Sequence, residues 1–431
     1  MSRHRLESSL IRALQGCPLL FGRFRVHADS TIWLEYDPEN SNPPTLEFQT
    51  LTDIRYADIE AAGFSYAVAR KHGIAMDIPD GSVSGRGEGD VPLFMARVSF
   101  LADGGVAVFN MTHHVAFDGN AVFSFMAYWA QCNREASALM DENLQCYETS
   151  LVTNTGQAPE QGPVEISVDA TRTPKELAEH IARKVRPEDL RASVFEIHVA
   201  RVAELKTKVE ESGLLGPGEW VSSNNALTGF VVQCVARANM EAQVYEPGDW
   251  TVFQSLDMRR PLGLPLKGLG SPIILAEFQA RFESIQQSDQ FAHLAVMVRR
   301  SLEKYTGQYL QGAMDWMSAA YTRLSESGAV DEPWRHFWFT AMNTNRRAVG
   351  VSCMNKIPVY ETDFGAGKPK MARSFNPRPN YVIVFPGPPS TASGGSAHET
   401  LHLYVTLEAP AMEALCADPE WTSRCTHISK G

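Results

Sequence analysis

Hydrophobic residues change their spacing repeatedly along this chain, and each change marks an element. Leu6, Leu10, Ala13 and Leu14 fall on one face of a helix that Gly16 and Pro18 bring to an end. Apolar or β-branched runs at Phe24–His27, Thr31–Tyr36 and Leu93–Leu101 read as strands. Asp77–Asp90, rich in Gly, Ser and Asp, reads as a loop. Asp103-Gly104-Gly105 makes a hairpin turn into a further buried strand that runs through Met111. Beyond it, Asn120 can cap a helix in which Val122, Phe123, Phe125, Met126 and Trp129 recur at helical spacing.

The second half alternates in the same way. Ser193–Val199 is a strand, Val202–Glu211 a lysine-studded helix, and Ser222–Ala238 a capped and buried helix. A strand at Thr251–Asp257 leads into an irregular Pro- and Gly-rich segment, Pro261–Pro272. Helices are expected near Phe291–Tyr305 and Gly307–Leu324, then strands to the end. Tyr147–Arg191 has weak periodicity, Pro-containing patches and mixed charge, the profile of an interdomain linker. There is no strict βαβ rhythm, so the pattern predicts α/β or α+β layers. The division that follows is an N-terminal domain over 1–146, a crossover over 147–192 and a C-terminal domain over 193–431.

Composition narrows the function. With 431 residues, 44% of them hydrophobic, the chain is long enough for two cores. Its formal net charge of −11 argues against a nucleic-acid surface, which needs a basic stripe. No apolar run reaches membrane-spanning length. The charged first turns lack an uninterrupted apolar stretch, so no signal peptide is expected. The 7 cysteines are scattered and without a CxxC, which suits a reducing, cytoplasmic setting.

Between the strand ending near Met111 and the helix after it lie His113, His114, Asp118 and Gly119. A strand end feeding a tight turn lets a polar side chain face a cavity while rigid elements hold it. One histidine is then a candidate general base, because imidazole titrates nearest neutrality; a structural pair of histidines with a turn aspartate satisfies the same spacing. His398-Glu399-Thr400-Leu401-His402 matches HExxH, but that zinc motif requires a helix. Here Leu401, Leu403, Val405 and Leu407 alternate with polar partners, which is strand periodicity. In a strand the two histidines stand about 13 Å apart, too far to share one zinc, and no metal is expected. Neither a GxSxG nucleophile elbow nor a Walker loop is present. Without a nucleophile, a reaction at His114 is a direct transfer. Two further segments stand out: Asp257-Met258-Arg259-Arg260 at a strand end, and Asp363-Phe364-Gly365 on an irregular turn with Gly365 and Gly367.

Taken together, these segments resemble the BAHD acyltransferases, in particular the fungal relatives that include trichothecene acetyltransferases. The HxxxDG of that family is matched by His114-Val115-Ala116-Phe117-Asp118-Gly119. Its DFGWGKP is matched by Asp363-Phe364-Gly365-Ala366-Gly367-Lys368-Pro369, and its DxR by Asp257-Met258-Arg259. LESSLIRALQGCPLLFGRFR, SSNNALTGFVVQCVARA and LHLYVTLEAPAMEALCADPEW resemble the first helix, the SxNDAL helix and the closing strand and helix. The resemblance covers essentially the whole chain.

It implies a two-domain, chloramphenicol-acetyltransferase-like fold with a tunnel at the domain interface. Acyl-CoA, with acetyl-CoA the default, enters as co-substrate from one face and a small-molecule hydroxyl or amine acceptor from the other. No permanently bound cofactor, nucleic acid or membrane is implied, and the protein is expected to be a monomer. His114 takes the acceptor proton as general base. Asp118 is structural and pairs with an arginine; Asp363 likewise pairs with an arginine, Arg259 or Arg260 being the candidates. Ser352 stands where relatives have a Thr near the reacting carbonyl, as an oxyanion or substrate contact. Ser223 and Lys368 are candidate CoA contacts, with Lys267, Lys370 and Arg373 as further basic residues nearby.

Departures qualify the picture. Ala366 replaces the Trp of DFGWG and Met354 stands where many plant members carry another Trp, which implies a wider tunnel. Gly268-Leu269-Gly270-Ser271 replaces YFGN, and Asn225 replaces the Asp of SxNDAL. The chain starts almost at the first family helix, so a short or truncated N-terminus with an exposed sheet edge is expected. Two other functions compete: a nonribosomal-peptide condensation-like domain using carrier-protein thioesters, which shares HHxxxDG but lacks DFGWG, and a catalytically silent binding protein on the same fold.

Overall fold

The computed structural model describes residues 2–26, 32–40, 43–76, 92–114, 116–138, 158–168, 187–281, 290–328, 337–339, 347–374, 378–389 and 398–430. The strands are β1 Arg23–Val26, β2 Ile32–Glu35, β3 Thr45–Thr50, β4 Phe94–Phe100, β5 Val106–Thr112, β6 Ile166–Val168 and β7 Leu190–His198. They continue as β8 Asp249–Asp257, β9 Ile273–Arg281, β10 Phe337–Phe339, β11 Ala348–Cys353, β12 Tyr381–Pro386, β13 Thr400–Glu408 and β14 Cys425–Lys430. The helices are α1 Arg3–Gln15, α2 Tyr56–Ala61, α3 Tyr66–Lys71, α4 Gly119–Arg134 and α5 Val199–Glu211. Beyond these come α6 Ser223–Glu241, α7 Phe291–Ser301, α8 Gly307–Ser327, α9 Ala409–Ala417 and α10 Pro419–Thr422. The loop expected at Asp77–Asp90 lies outside the described residues.

Two layers carry the architecture. The larger is a seven-stranded mixed sheet in the order β14-β7-β13-β12-β11-β8-β9. Within it β8, β11 and β12 run parallel to one another, and the remaining neighbours are antiparallel. One face packs against α5, α6, α7 and α9 through Val202, Leu227, Phe230, Leu294 and Leu415. Helix α6 is buried along most of its length, so it reads as apolar nearly all round rather than on one stripe. At its start Ser222 and Asn225 form a reciprocal capping box, each satisfying a backbone N–H of the other. The opposite face holds Phe253, Tyr381, Ile383, Phe385 and Tyr404, and meets α4 through Phe123, whose ring stands edge-on to Phe385 at 5.6 Å.

The smaller layer is the three-stranded sheet β3-β4-β5 with α1 and α4 laid on it. The apolar face read from the first residues is the one buried: Leu6, Leu10, Ala13 and Leu14 are at most 4% exposed. Two residues from the far half of the chain, Leu269 and Phe364, complete this core. Each buried side chain of this size contributes about 1.5–3 kcal/mol, so the intrusion is a substantial part of what holds the layers together.

Part of the segment read as linker has structure of its own. Strand β6 pairs with β10, and the buried carboxylate of Glu165 accepts hydrogen bonds from Tyr305 (2.6 Å) and Tyr309 (2.7 Å) and pairs with Lys304 (2.5 Å). Burial alone would raise the Glu165 pKa, but these three donors outweigh it and hold the carboxyl below its usual range. Residues 400–408 are the strand β13, so the HExxH spacing sits on extended chain. His398 reaches the Gly387 carbonyl, whereas His402 lies between Glu196 and Arg373.

Candidate active site

The HxxxDG residues occupy the turn between β5 and α4. The strand ends at Thr112, and the backbone then folds tightly: the Ala116 and Phe117 N–H groups both donate to the His113 carbonyl. His113 is buried and His114, the next residue, is exposed. Burial, and to a lesser extent the neighbouring His114, push the His113 pKa down and favour its neutral form. The helix cap differs from the sequence expectation. Asp118, not Asn120, caps α4: its Oδ1 accepts from the Ala121 N–H at 2.9 Å. Asn120 lies inside the first turn and donates instead to the Leu266 carbonyl at 2.7 Å.

Asp118 has a second task. Its two oxygens accept from the two terminal nitrogens of Arg259 at 2.5 and 3.0 Å, a bidentate pair in which the arginine side chain is 0% exposed. The same guanidinium donates to Asp257 Oδ1 at 3.0 Å and to the Gly268 and Gly270 carbonyls. The Asp118 N–H also donates to the Gly270 carbonyl at 3.0 Å. Segment 268–270, which replaces the family's YFGN, is therefore the backbone cradle of this arginine. Hydrogen-bonded on every side, the buried charge is tolerated and the turn carrying His114 is fixed to the end of β8.

This arrangement corrects the expected pairing of Asp363 with Arg259 or Arg260. Arg259 belongs to Asp118 and Asp257, and Arg260 is exposed. Asp363 Oδ1 closes its own turn, accepting from the Gly365 N–H (2.7 Å) and the Gly367 N–H (3.0 Å). Both glycines have positive φ, 93° and 97°, which explains why the turn needs them. An arginine does approach Asp363, but it is Arg134, and it donates to the backbone carbonyl. Asn133 Nδ2 donates to the Phe364 carbonyl at 2.6 Å, and the Phe364 ring stands edge-on to Trp129 at 4.8 Å. The DFG segment is thus docked on the end of α4. Sequence reasoning missed Asn133, Arg134 and Trp129 as its partners, because nothing local in a helix announces a contact more than 200 residues away.

Strand β11 carries another of the candidates. Ser352 is half-buried on it, and two residues on Met354 packs so closely over Gly119 that a Cβ there would collide with the methionine methyl. The end of β11 is therefore in contact with the HxxxDG turn. Ser223 is exposed at the first position of α6, and its neighbour Asn224 exchanges amide hydrogen bonds with Asn355 just beyond β11. Lys368, Lys370 and Lys267 are exposed. Arg373 is not: it donates to the Gly63 carbonyl at 2.8 Å and lies 3.2 Å from His402, between the rings of Phe64 and Tyr404. Among the described residues, no group of three or more His, Cys, Asp or Glu side chains is arranged to hold a metal ion.

Comparison with known proteins follows the same line. The model of the Transferase family matches residues 77–422. BAHD acyltransferase DCR of Arabidopsis thaliana is 23% identical over 423 residues, covering 96% of this chain and 79% of that protein. Trichothecene 3-O-acetyltransferase of Saccharomyces cerevisiae is 24% identical over 216 residues, covering 49% of this chain and 41% of the relative. Among solved structures, F. graminearum TRI101 complexed with coenzyme A and T-2 mycotoxin superposes with a TM-score of 0.75 at 17% identity, covering 99% of this chain and 91% of that one. At that identity the superposition establishes the fold, a mixed α/β arrangement of two domains.

Proposed function

Because the chain belongs to the Transferase family of BAHD acyltransferases, and is an acyl-CoA-dependent O- or N-acyltransferase of secondary metabolism, we propose that His114 is its general base and acetyl-CoA its donor. The observation that carries this reading is the contrast at the HxxxDG turn. His114 is exposed, while Asp118 four residues on is locked to a fully buried arginine. A base must be reachable by substrate yet held in one place, and this turn supplies both conditions.

In the proposed reaction the neutral imidazole of His114 takes the proton from the acceptor hydroxyl or amine as that atom attacks the thioester carbonyl. The resulting oxyanion needs a hydrogen-bond donor, and Ser352, at the β11 end that touches Gly119, is the residue we assign to it. The intermediate collapses with cleavage of the C–S bond, and the proton passes from the imidazolium to the departing thiolate. Asp118, Arg259 and Asp257 position the turn without touching substrate. Asp363 holds the DFG turn against α4, away from the chemistry. Ser223 and Lys368, both exposed, are assigned to the CoA side.

The donor assignment is supported by the TRI101 structure, which holds coenzyme A, and the small-molecule acceptor by the T-2 mycotoxin bound there. A cytoplasmic monomer with the divisions 1–146, 147–192 and 193–431 completes the proposal. Calorimetric titration with acetyl-CoA, alongside thioester hydrolysis without acceptor, tests it. Binding is expected in wild type and His114→Ala alike, with hydrolysis at least 100-fold slower in the variant, as about 10²–10⁴-fold is the usual contribution of a general base. No binding to acetyl-CoA, or hydrolysis unaffected by the substitution, overturns it.

A further inference from the structure

The face of the large sheet that looks toward α4 sets a few hydroxyl groups among apolar rings. Gly350 lies within β11, and a Cβ there would collide with both Phe253 on β8 and Tyr381 on β12. The bare backbone lets the Tyr381 ring lie across β11, with its centroid 5.8 Å from that of Phe253. Its hydroxyl then reaches Ser255 Oγ on β8 at 3.2 Å. Ser352, two residues after Gly350, projects from the same face by strand alternation. Ser255 and Ser352 keep part of their surface open, although Phe253, Tyr381 and Ile383 around them are buried.

Two of these hydroxyls, those of Ser255 and Ser352, lie on the strands that lead to the HxxxDG turn; Tyr381 reaches them from β12. Strand β8 carries Ser255 and ends at Asp257; Arg259, which grips Asp118, lies in the turn just beyond it. Strand β11 carries Ser352 and ends at Cys353; Met354, the next residue, covers Gly119. Met354 follows Ser352 by two residues, about 7 Å of extended chain, and Arg259 follows Ser255 by four.

We propose that Ser255 and Tyr381 form a hydrogen-bonding subsite for the acceptor, whose skeleton is largely apolar and carries a second oxygen beside the group that is acylated. This inference rests on the acyltransferase reading above. A pair of hydroxyls offers donor and acceptor together, so it suits a hydroxyl, ether or ketone oxygen. Phe253, Ile383 and Met354 supply the apolar wall that such a skeleton needs. Ser255 and Tyr381 themselves offer no carboxylate to a polyammonium acceptor, although a buried one, Glu277, stands on the same face in register with Phe253. Glu277, opposite Phe253 on β9, is separated from Tyr381 by β8 and β11.

The test uses the full chain with acetyl-CoA and two isosteric alcohols, trans-2-methoxycyclohexanol and trans-2-ethylcyclohexanol, with 1,4-diaminobutane as the charged probe. Wild type is expected to favour the ether over the ethyl compound in kcat/KM by about fivefold to tenfold, the value of one net hydrogen bond, mainly through KM. In the Ser255→Ala, Tyr381→Phe double variant, which keeps the ring over Gly350, that ratio falls to about one. A structural role alone would lower both alcohols equally and leave the ratio unchanged. An unchanged ratio, no preference in wild type, or a preference for the diamine overturns the inference. Failure of the underlying reading shows separately, as the absence of acetyl-CoA hydrolysis that depends on His114.

Discussion

Asp118 and Asp363 stand in the two most recognisable motifs of the chain, and both lie where its layers meet, yet they hold the layers together by different physics. Asp118 does so with its charge: the carboxylate crosses from the α4 turn to Arg259 on the far layer, out of water. Asp363 keeps its carboxylate for its own turn, and contact across the layers is made by its carbonyl, the Phe364 carbonyl and the Phe364 ring. A motif aspartate can thus matter through its charge or merely as a carbonyl-like acceptor, and only the partner list distinguishes the two.

Substitutions sharpen that contrast. Arg259→Met strands the buried Asp118 carboxylate and should cost about 3–5 kcal/mol in denaturant unfolding, with transfer activity falling alongside. Phe364→Ala removes an aromatic ring from the smaller layer's core and should cost about 3 kcal/mol, as large-to-small aromatic changes do. Asp363→Asn retains an oxygen that can accept from Gly365 and Gly367, so its unfolding midpoint should move by less than about 1 kcal/mol. If Asp363→Asn proves as damaging as Arg259→Met, the division between charge and acceptor is wrong.

A pH dependence is expected away from both motifs. Burial, reinforced by Arg373, depresses the His402 pKa from 6.5 to about 4. The unfolded chain takes up a proton below about 6.5 while the folded chain resists it to about 4, so stability is full above that window and declines as pH falls through it. His402→Gln should flatten the fall in melting temperature between those limits; an unchanged slope would show that His402 does not contribute.

Much of this was legible in the sequence, and the limits have physical causes. Helix α1, its buried face and the strand nature of residues 400–408 follow from periodicity, which is local. The cap was misplaced by two residues because Asp118 and Asn120 are both good capping types flanking a glycine. Strand β9 went unassigned, since Ile273–Ala276 reads as a short apolar run straight after a Pro- and Gly-rich segment. His114, Asp118, Asp257 and Arg259 could be picked out as motif residues, but which aspartate holds the arginine could not. That choice is made across 141 residues of chain, by which carboxylate ends up buried beside the Gly268 and Gly270 carbonyls. The partners of Glu165 were hidden for the same reason, on a segment whose composition looks like linker.

The Phe364 ring and Leu269 inside the smaller layer's core bear on modularity. A piece of chain cut in the crossover would keep α1, β3–β5 and α4 but leave Trp129 facing an unfilled socket and Asp118 without a counter-charge. The smaller layer is therefore not a cassette. Recombination between relatives at the crossover has to carry residues 257–270 and 363–367 along with the HxxxDG turn, although they lie at least 138 positions further along the chain from it. In that sense the unit that has to be kept together is the seam rather than either half.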